Sequence, residues 1–365
     1  MKKTILFTIT LILSFTCILS VYAENTNNTI FTVVKAQSFA AANNRQAVID
    51  DLEIKAKESA LKQAIENAET VGSSYTFEGA LDIRIKKYVN PMEAERALEL
   101  AKMSKQKNSR QLKHEVKKSF LNILLAQKEL ETEKKKLEFS KIRLDLAQAR
   151  YSMNTITKQD LDSAQYNYDS KMIDAEAVRE ELLMLDINLK DQLGLAINGD
   201  PLVLDGIIER ESFPETDIDK VVSSNIEVNV DVYSAAAKLE AAKKTMELTE
   251  ELLKPGRVVY DDYLVNVEIT TRDYEAALRN REMNIRNTYN ELLNMKDSVE
   301  LAEKYEELQL KMLDNAKTKY DKGQMSHETY ITFEEQYLDA VFNKYKAICA
   351  FNVKKGEFIN MTENN

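Results

Sequence analysis

His114 and His327 are the only histidines in the chain, and Cys349 is the only cysteine outside the N-terminal 23 residues. His114-Glu115 begins as a zinc-binding H-E-x-x-H helix begins. That motif needs a second imidazole one helical turn later to share the metal, and position 118 is Lys. Both histidines are therefore expected on solvated helix surface. Glu129 and Glu133 have the spacing at which two carboxylates on one helix face could act as acid and base. On a helix this rich in charge, the same spacing is that of solvated surface pairs. Tyr151, Tyr166, Tyr168, Tyr289, Tyr320, Tyr330 and Tyr337 recur at helical spacing, which favours packing between helices over ligand stacking. Cys349, in YKAICAFNV, is expected to be a buried small apolar residue. The sequence holds no phosphate loop, no Gly-rich dinucleotide turn and no nucleophile elbow. An enzyme is not expected, nor any catalytic residue, cofactor or metal.

The first 23 residues, MKKTILFTITLILSFTCILSVYA, combine two lysines, an apolar run and a terminal Val-Tyr-Ala. They read as a secretory signal cleaved after Ala23. Loss of Lys2 and Lys3 would take the formal charge from −10 to −12, so nucleic acid is not an expected partner. One remaining cysteine excludes an intrachain disulfide.

The elements that carry these residues are long. Gly occurs 8 times and Pro 4 times in 365 residues, charged residues make up 30%, and Trp is absent. This is the composition of long helices and coiled coil. A first helix is expected from Asn44 through the stretch ending at Glu69. At Val89-Asn90-Pro91 the spacing predicts a turn and restart, with Asn90 as cap and Pro91 in the first helical position. A second helix then runs from Pro91 to Ser152, and a third to about Gly194. Between them Asn154 caps one helix in the left-handed conformation, and Thr157 with Asp160 caps the next. Residues 319–337 repeat this tip, with Gly323, Ser326 and Thr329 in the places of Asn154, Thr157 and Asp160.

The repeat extends beyond the tips. At the same offset Val116 meets Ile285, Phe120 meets Tyr289, Leu144 meets Leu313 and Ala147 meets Ala316. Asn44, Leu52, Ala56 and Ala60 meet Asn225, Tyr233, Ala237 and Ala241 at a different offset. Ile285, Tyr289, Leu292, Val299, Ala302, Leu308, Met312, Ala316 and Tyr320 are expected to form one apolar stripe. Lys254-Pro255-Gly256 marks another hairpin turn. The division is a leader at 1–23, a first repeat at 24–197, a linker at 198–221 and a second repeat at 222–365.

SFLNILLAQKELE (119–131), LDLAQARYSMNTITKQDLDSAQ (144–165), DQLGL (191–195), NIRNTYNELLNMKDSVELAEK (284–304) and AKTKYDKGQMSHETY (316–330) give the chain a resemblance to the TolC-like outer membrane efflux proteins. The two Y-x-x-N/G-x-x-T/S tips are its most specific part. The resemblance covers about residues 36–358. It implies an all-α fold of long antiparallel hairpins in two tandem repeats, assembled as a homotrimeric tube. It also implies an adaptor and an inner-membrane transporter as partners. Mapped by motif, adaptor docking falls on Met153, Asn154, Thr155, Lys322, Gly323 and Gln324.

Two departures from the family pattern stand out. The places where the family inserts barrel hairpins, about 70–90 and 254–260, lack two alternating membrane strands, so the β-barrel is expected to be absent. Where channel members carry acids after the second-repeat Gly, this chain has Thr329 and Thr332. Met325 stands where a basic residue commonly pairs across the closed tip, although Asp160 is present. Tyr151, Asp160, Tyr320, Met325, Thr329 and Thr332 are the candidate tip or gate residues. The expected function is an exported conduit component of an efflux or export system in the cell envelope. The alternative is a coiled-coil scaffold or adaptor-binding protein without a channel.

Overall fold

A computed structural model describes residues 30–74 and 76–362; the expected leader lies outside the described residues. The elements in order are β1 (Ile30–Phe31), α1 (Val33–Asn43), α2 (Arg45–Glu69) and α3 (Phe77–Arg84). A π-helical turn (Ile85–Val89), α4 (Asn90–Ser152) and α5 (Lys158–Leu193) complete the first half. The second half holds β2 (Val203–Leu204), α6 (Ile218–Asn225), α7 (Val230–Glu250), α8 (Val258–Asp321) and α9 (His327–Thr362). The fold is all-α, with two tandem repeats of a long antiparallel hairpin. Its only strands among the described residues are two dipeptides paired in parallel, Ile30 with Val203 and Phe31 with Leu204. At the two places where barrel hairpins were in question, the chain makes short connections, 70–76 and 251–257.

Local chemistry explains the long rods. α4 has 63 residues and α8 has 64, so each spans about 95 Å at the α-helical rise. Such helices persist by side-by-side packing. Near the tips the layer runs α5, α4, α9, α8. Toward the other end it runs α2, α4, α7, α8. In both halves α4 is interior, while α8 lies on one edge and α5 or α2 on the other.

The turn expected at Val89-Asn90-Pro91 does not form. Asn90 is helical (φ −61°, ψ −41°), and its N–H donates to the Ile85 carbonyl, one residue further back than in an α-helix. Proline lacks an N–H and its ring crowds the carbonyl four residues earlier. The wider π turn relieves that crowding, so α3, the π turn and α4 run on without a break. The break falls after Glu69, where the first helix was expected to end, and Thr76 caps α3 by accepting from the Gly79 N–H at 3.1 Å. Asn44 does cap α2, accepting from the Gln46 N–H at 2.8 Å.

The main core lies midway along the hairpins. Val116, Phe120, Leu189, Leu193, Ile285, Leu292, Val299 and Phe351 are closed to solvent. The stretch joining the repeats is laid across this core. A Cβ at Gly206 would sit 2.9 Å from the Phe120 ring, so only glycine lets the chain pass that close. Asn352 pins the stretch, donating to the Glu209 carbonyl at 2.7 Å and accepting from the Glu211 N–H at 3.1 Å. The Glu211 carboxylate pairs with Lys117 and Lys355. Burial opposes its ionisation, but these two ammonium groups hold it below the usual carboxylate range.

The expected single stripe on α8 splits in two. Ile285, Leu292, Val299 and Ala316 are buried, whereas Leu308 is 52% and Met312 37% exposed.

Candidate functional site

The two tips are built alike, bond for bond. In the first, the Asn154 N–H donates to the Tyr151 carbonyl at 2.9 Å, and Thr155 N–H to Arg150 at 2.9 Å. In the second, Gly323 donates to Tyr320 at 2.8 Å, and Gln324 to Lys319 at 2.8 Å. Asn154 (φ 56°) and Gly323 (φ 69°) are both left-handed, which aims these N–H groups back at the last carbonyls of the helix. Met153, Asn154, Thr155, Lys322, Gly323 and Gln324 are all exposed on these turns.

The start of each returning helix differs. Thr157 accepts from the Asp160 N–H at 3.2 Å, and the Asp160 carboxylate accepts from the Thr157 N–H at 2.9 Å and hydroxyl at 2.7 Å. These bonds hold the Asp160 carboxyl below its ordinary range. Ser326 and Thr329 reproduce the arrangement without charge. The Thr329 N–H donates to the Ser326 hydroxyl at 3.1 Å, and the two hydroxyls are 2.9 Å apart. Asp160 and Thr329 are thus engaged as caps. Met325 is half-buried, Tyr151 is exposed, and Tyr320 stacks on Tyr330 (5.0 Å, 11°) and on His327 (5.4 Å). Burial and the nearby Glu334 carboxylate raise the Tyr330 phenol above its usual range.

Sequence reasoning missed the seam that ties the tips together. Arg143 of α4 makes a two-pronged pair with Glu335 of α9, both bonds 2.7 Å, and also donates to the Thr332 hydroxyl at 3.3 Å. Arg150 pairs with Glu328 at 3.1 Å, and Lys136 with Asp339 at 2.6 Å. A signal existed: Lys136, Arg143 and Arg150 recur every seven residues, the repeat of a helix facing one partner. A groove at this seam is lined by Ser140 and Arg143 of α4, Ser163 and Asn167 of α5, and Glu328 and Glu335 of α9.

Three expectations are corrected. His114 is half-buried rather than solvated. A Cβ at position 356 would lie 2.8 Å from its Nδ1, so Gly356 makes room for it, and burial lowers its pKa. Glu133 is not a free surface charge: its side chain is 14% exposed and pairs with Lys136 and Lys171. Burial, with Glu181 nearby, raises the Glu129 carboxyl. The tyrosines do not share one role. Tyr289 packs against Phe213 and Phe358, whereas Tyr166 is 73% exposed. Cys349 is buried as expected, and burial pushes its thiol up to about 12.

No family profile and no curated protein matches this sequence. Solved structures do. CusC, whose structures describe transmembrane channel formation, aligns over 95% of this chain and 96% of its own, at 13% identity and a TM-score of 0.71. The VceC outer membrane protein of Vibrio cholerae aligns over 90% and 95%, at 11% identity and a TM-score of 0.68. The CmeC outer membrane channel of Campylobacter jejuni aligns over 90% and 85%, at 12% identity and a TM-score of 0.65. The fold is therefore the TolC-like helical fold of outer membrane channels. In this chain it carries short connections where barrel hairpins were sought.

Proposed function

We propose that this protein is the helical conduit of an efflux or export system in the cell envelope. It acts as a homotrimer, with an adaptor and an inner-membrane transporter at its tips. One observation carries the reading. Large exposed apolar side chains gather on the edge helices: Tyr166, Met172 and Ile173 on α5, and Leu301, Tyr305 and Leu308 on α8. Interior α7 and α9 have none. A layer with two sticky edges of different composition joins head to tail, which gives a ring when the rotation between copies closes. One chain cannot enclose a lumen; a ring of chains can. The exposed turns at Met153–Thr155 and Lys322–Gln324 supply the docking surface.

The short connections at 70–76 and 251–257 favour a second reading, a scaffold that binds an adaptor without forming a channel. Light scattering with negative-stain imaging separates the two. A trimeric hollow rod on the order of 100 Å long, as helix lengths require, is the expected result. A thin monomer at every concentration overturns the conduit.

A further inference from the structure

The turn that leads from α5 to β2 holds the chain's only asparagine followed by glycine, Asn198-Gly199. Such a pair can modify itself, because glycine has no Cβ to keep the carboxamide away from the next backbone nitrogen. The fold leaves the way open. Residues 196–200 are exposed. Among the described residues no hydrogen bond holds the Asn198 carboxamide. The Gly199 N–H reaches the Ala196 carbonyl at 3.5 Å, beyond the range of a good hydrogen bond. We infer, independently of the conduit reading, that Asn198-Gly199 is a modification site. Asn198 loses ammonia through a succinimide, and the isoaspartate that follows unbolts the stretch joining the two repeats.

In the first step the Gly199 nitrogen bonds to Asn198 Cγ and the Cγ–Nδ2 bond breaks. The proton given up by the Gly199 nitrogen leaves with Nδ2 as ammonia. Water then opens the five-membered imide. Opening at Cγ gives an aspartyl residue. Opening at the main-chain carbonyl gives an isoaspartyl residue, whose backbone runs through the former side chain and is longer by a methylene. That lengthening falls on Gly199, whose carbonyl accepts from Lys190 Nζ at 2.8 Å. Lys190 is 3% exposed and pairs with Asp186 at 2.6 Å. The second Asp186 oxygen accepts from the Leu202 N–H at 2.7 Å. A buried charge pair thus bolts both Gly199 and Leu202 to α5. Moving the Gly199 carbonyl leaves a buried ammonium short of an acceptor, which is costly away from water. Asp205-Gly206, in the same connection, is held instead. The Asp205 N–H donates to the Phe31 carbonyl at 2.9 Å, and Gly206 is pressed on the Phe120 ring.

The test ages the purified full chain at mildly alkaline pH and follows each asparagine by peptide mass spectrometry. Enzymatic methylation by an isoaspartyl methyltransferase detects the isoaspartate. Asn198 is expected to convert at least tenfold faster than Asn108, which precedes a serine within α4, and its rate to rise with hydroxide. Gly199→Ala is expected to slow it at least tenfold with the fold intact, since a Cβ there meets nothing closer than the Ala196 carbonyl at 3.6 Å. An Asn198 that stays intact while a free peptide of residues 195–201 converts overturns the site, as does an undiminished rate in Gly199→Ala. Hydrogen exchange reads the consequence. The Leu202 amide is expected to exchange at least tenfold faster in aged protein and at the original rate in freshly made Asn198→Asp. Unchanged exchange after conversion overturns the unbolting, and equal loosening in fresh Asn198→Asp overturns backbone lengthening as its cause.

Discussion

The hairpin α4–α5 and the hairpin α8–α9 share a length, a tip and a pattern of capping bonds, yet their surroundings are opposite. α4 lies between α5 and α9, and α9 lies between α4 and α8; α5 and α8 each leave a flank open. The inner seam is ionic: Arg143–Glu335, Arg150–Glu328 and Lys136–Asp339. The open flanks carry Tyr166, Ile173, Leu301 and Leu308. The same repeat has thus taken different side chains according to where the chain places it. An ionic seam within one chain keeps two rods in register, because charges discriminate strongly against wrong alignments. An apolar flank gives adhesion, which suits the proposed contact between separate molecules.

Core and flank give the largest expected contrast. Ile285→Ala empties space in a fully closed site and is expected to cost about 2–5 kcal/mol. Leu301→Ala, on the exposed flank of the same helix, is expected to change the stability of a dissociated chain by less than about 0.5 kcal/mol. Urea unfolding of dilute protein measures both. Equal costs would mean the flank is covered within one chain.

The tips are expected to differ next. Gly323→Ala puts a Cβ on a left-handed residue and is expected to cost about 1 kcal/mol. Asn154→Gly, at the matching position, is expected to be neutral or slightly stabilising. Thermal unfolding of the two variants decides this, and a harmless Gly323→Ala would show that the second tip can relax.

Acid should separate the tips further. Asp160 has a depressed folded-state pKa, so its contribution is present above the unfolded value of about 4 and is lost as pH falls through the lower folded value. Thr329, its counterpart, does not titrate. Amide exchange is expected to show the start of α5 loosening in acid before the start of α9. Thr157→Ala removes the cap at neutral pH and is expected to cost about 1 kcal/mol.

The smallest effect concerns the inner seam. A double-mutant cycle on Arg143 and Glu335, both partly exposed, is expected to give a coupling of about 0.2–1 kcal/mol. Salt should shrink it. A coupling that salt leaves unchanged would mean that packing, not charge, holds α9 on α4.

Much of this architecture was legible because it is governed by local chemistry. Asn154 and Gly323 reveal themselves as helix ends, since few residues take a left-handed backbone and breakers are rare around them. Thr157 with Asp160 is a capping box in one dimension as in three. The repeat offset is visible because both hairpin arms kept their length. Pro91 misled, because a single π turn let the helix carry a proline that propensity alone forbids. His114 misled because its burial depends on Gly356, more than 200 residues away in sequence.

By itself, the sequence determined the capped helix ends at the tips and at Asn44 and that the chain repeats, since caps, turns and periodicity are set by neighbours within a few residues. Only the tertiary structure decided which apolar stripe is core and which is flank. Leu292 and Leu308 look alike on a helix, but one faces the hydrophobic core and the other a surface that the chain leaves uncovered. Burial is a property of the neighbours a fold supplies, and those neighbours come from the other repeat.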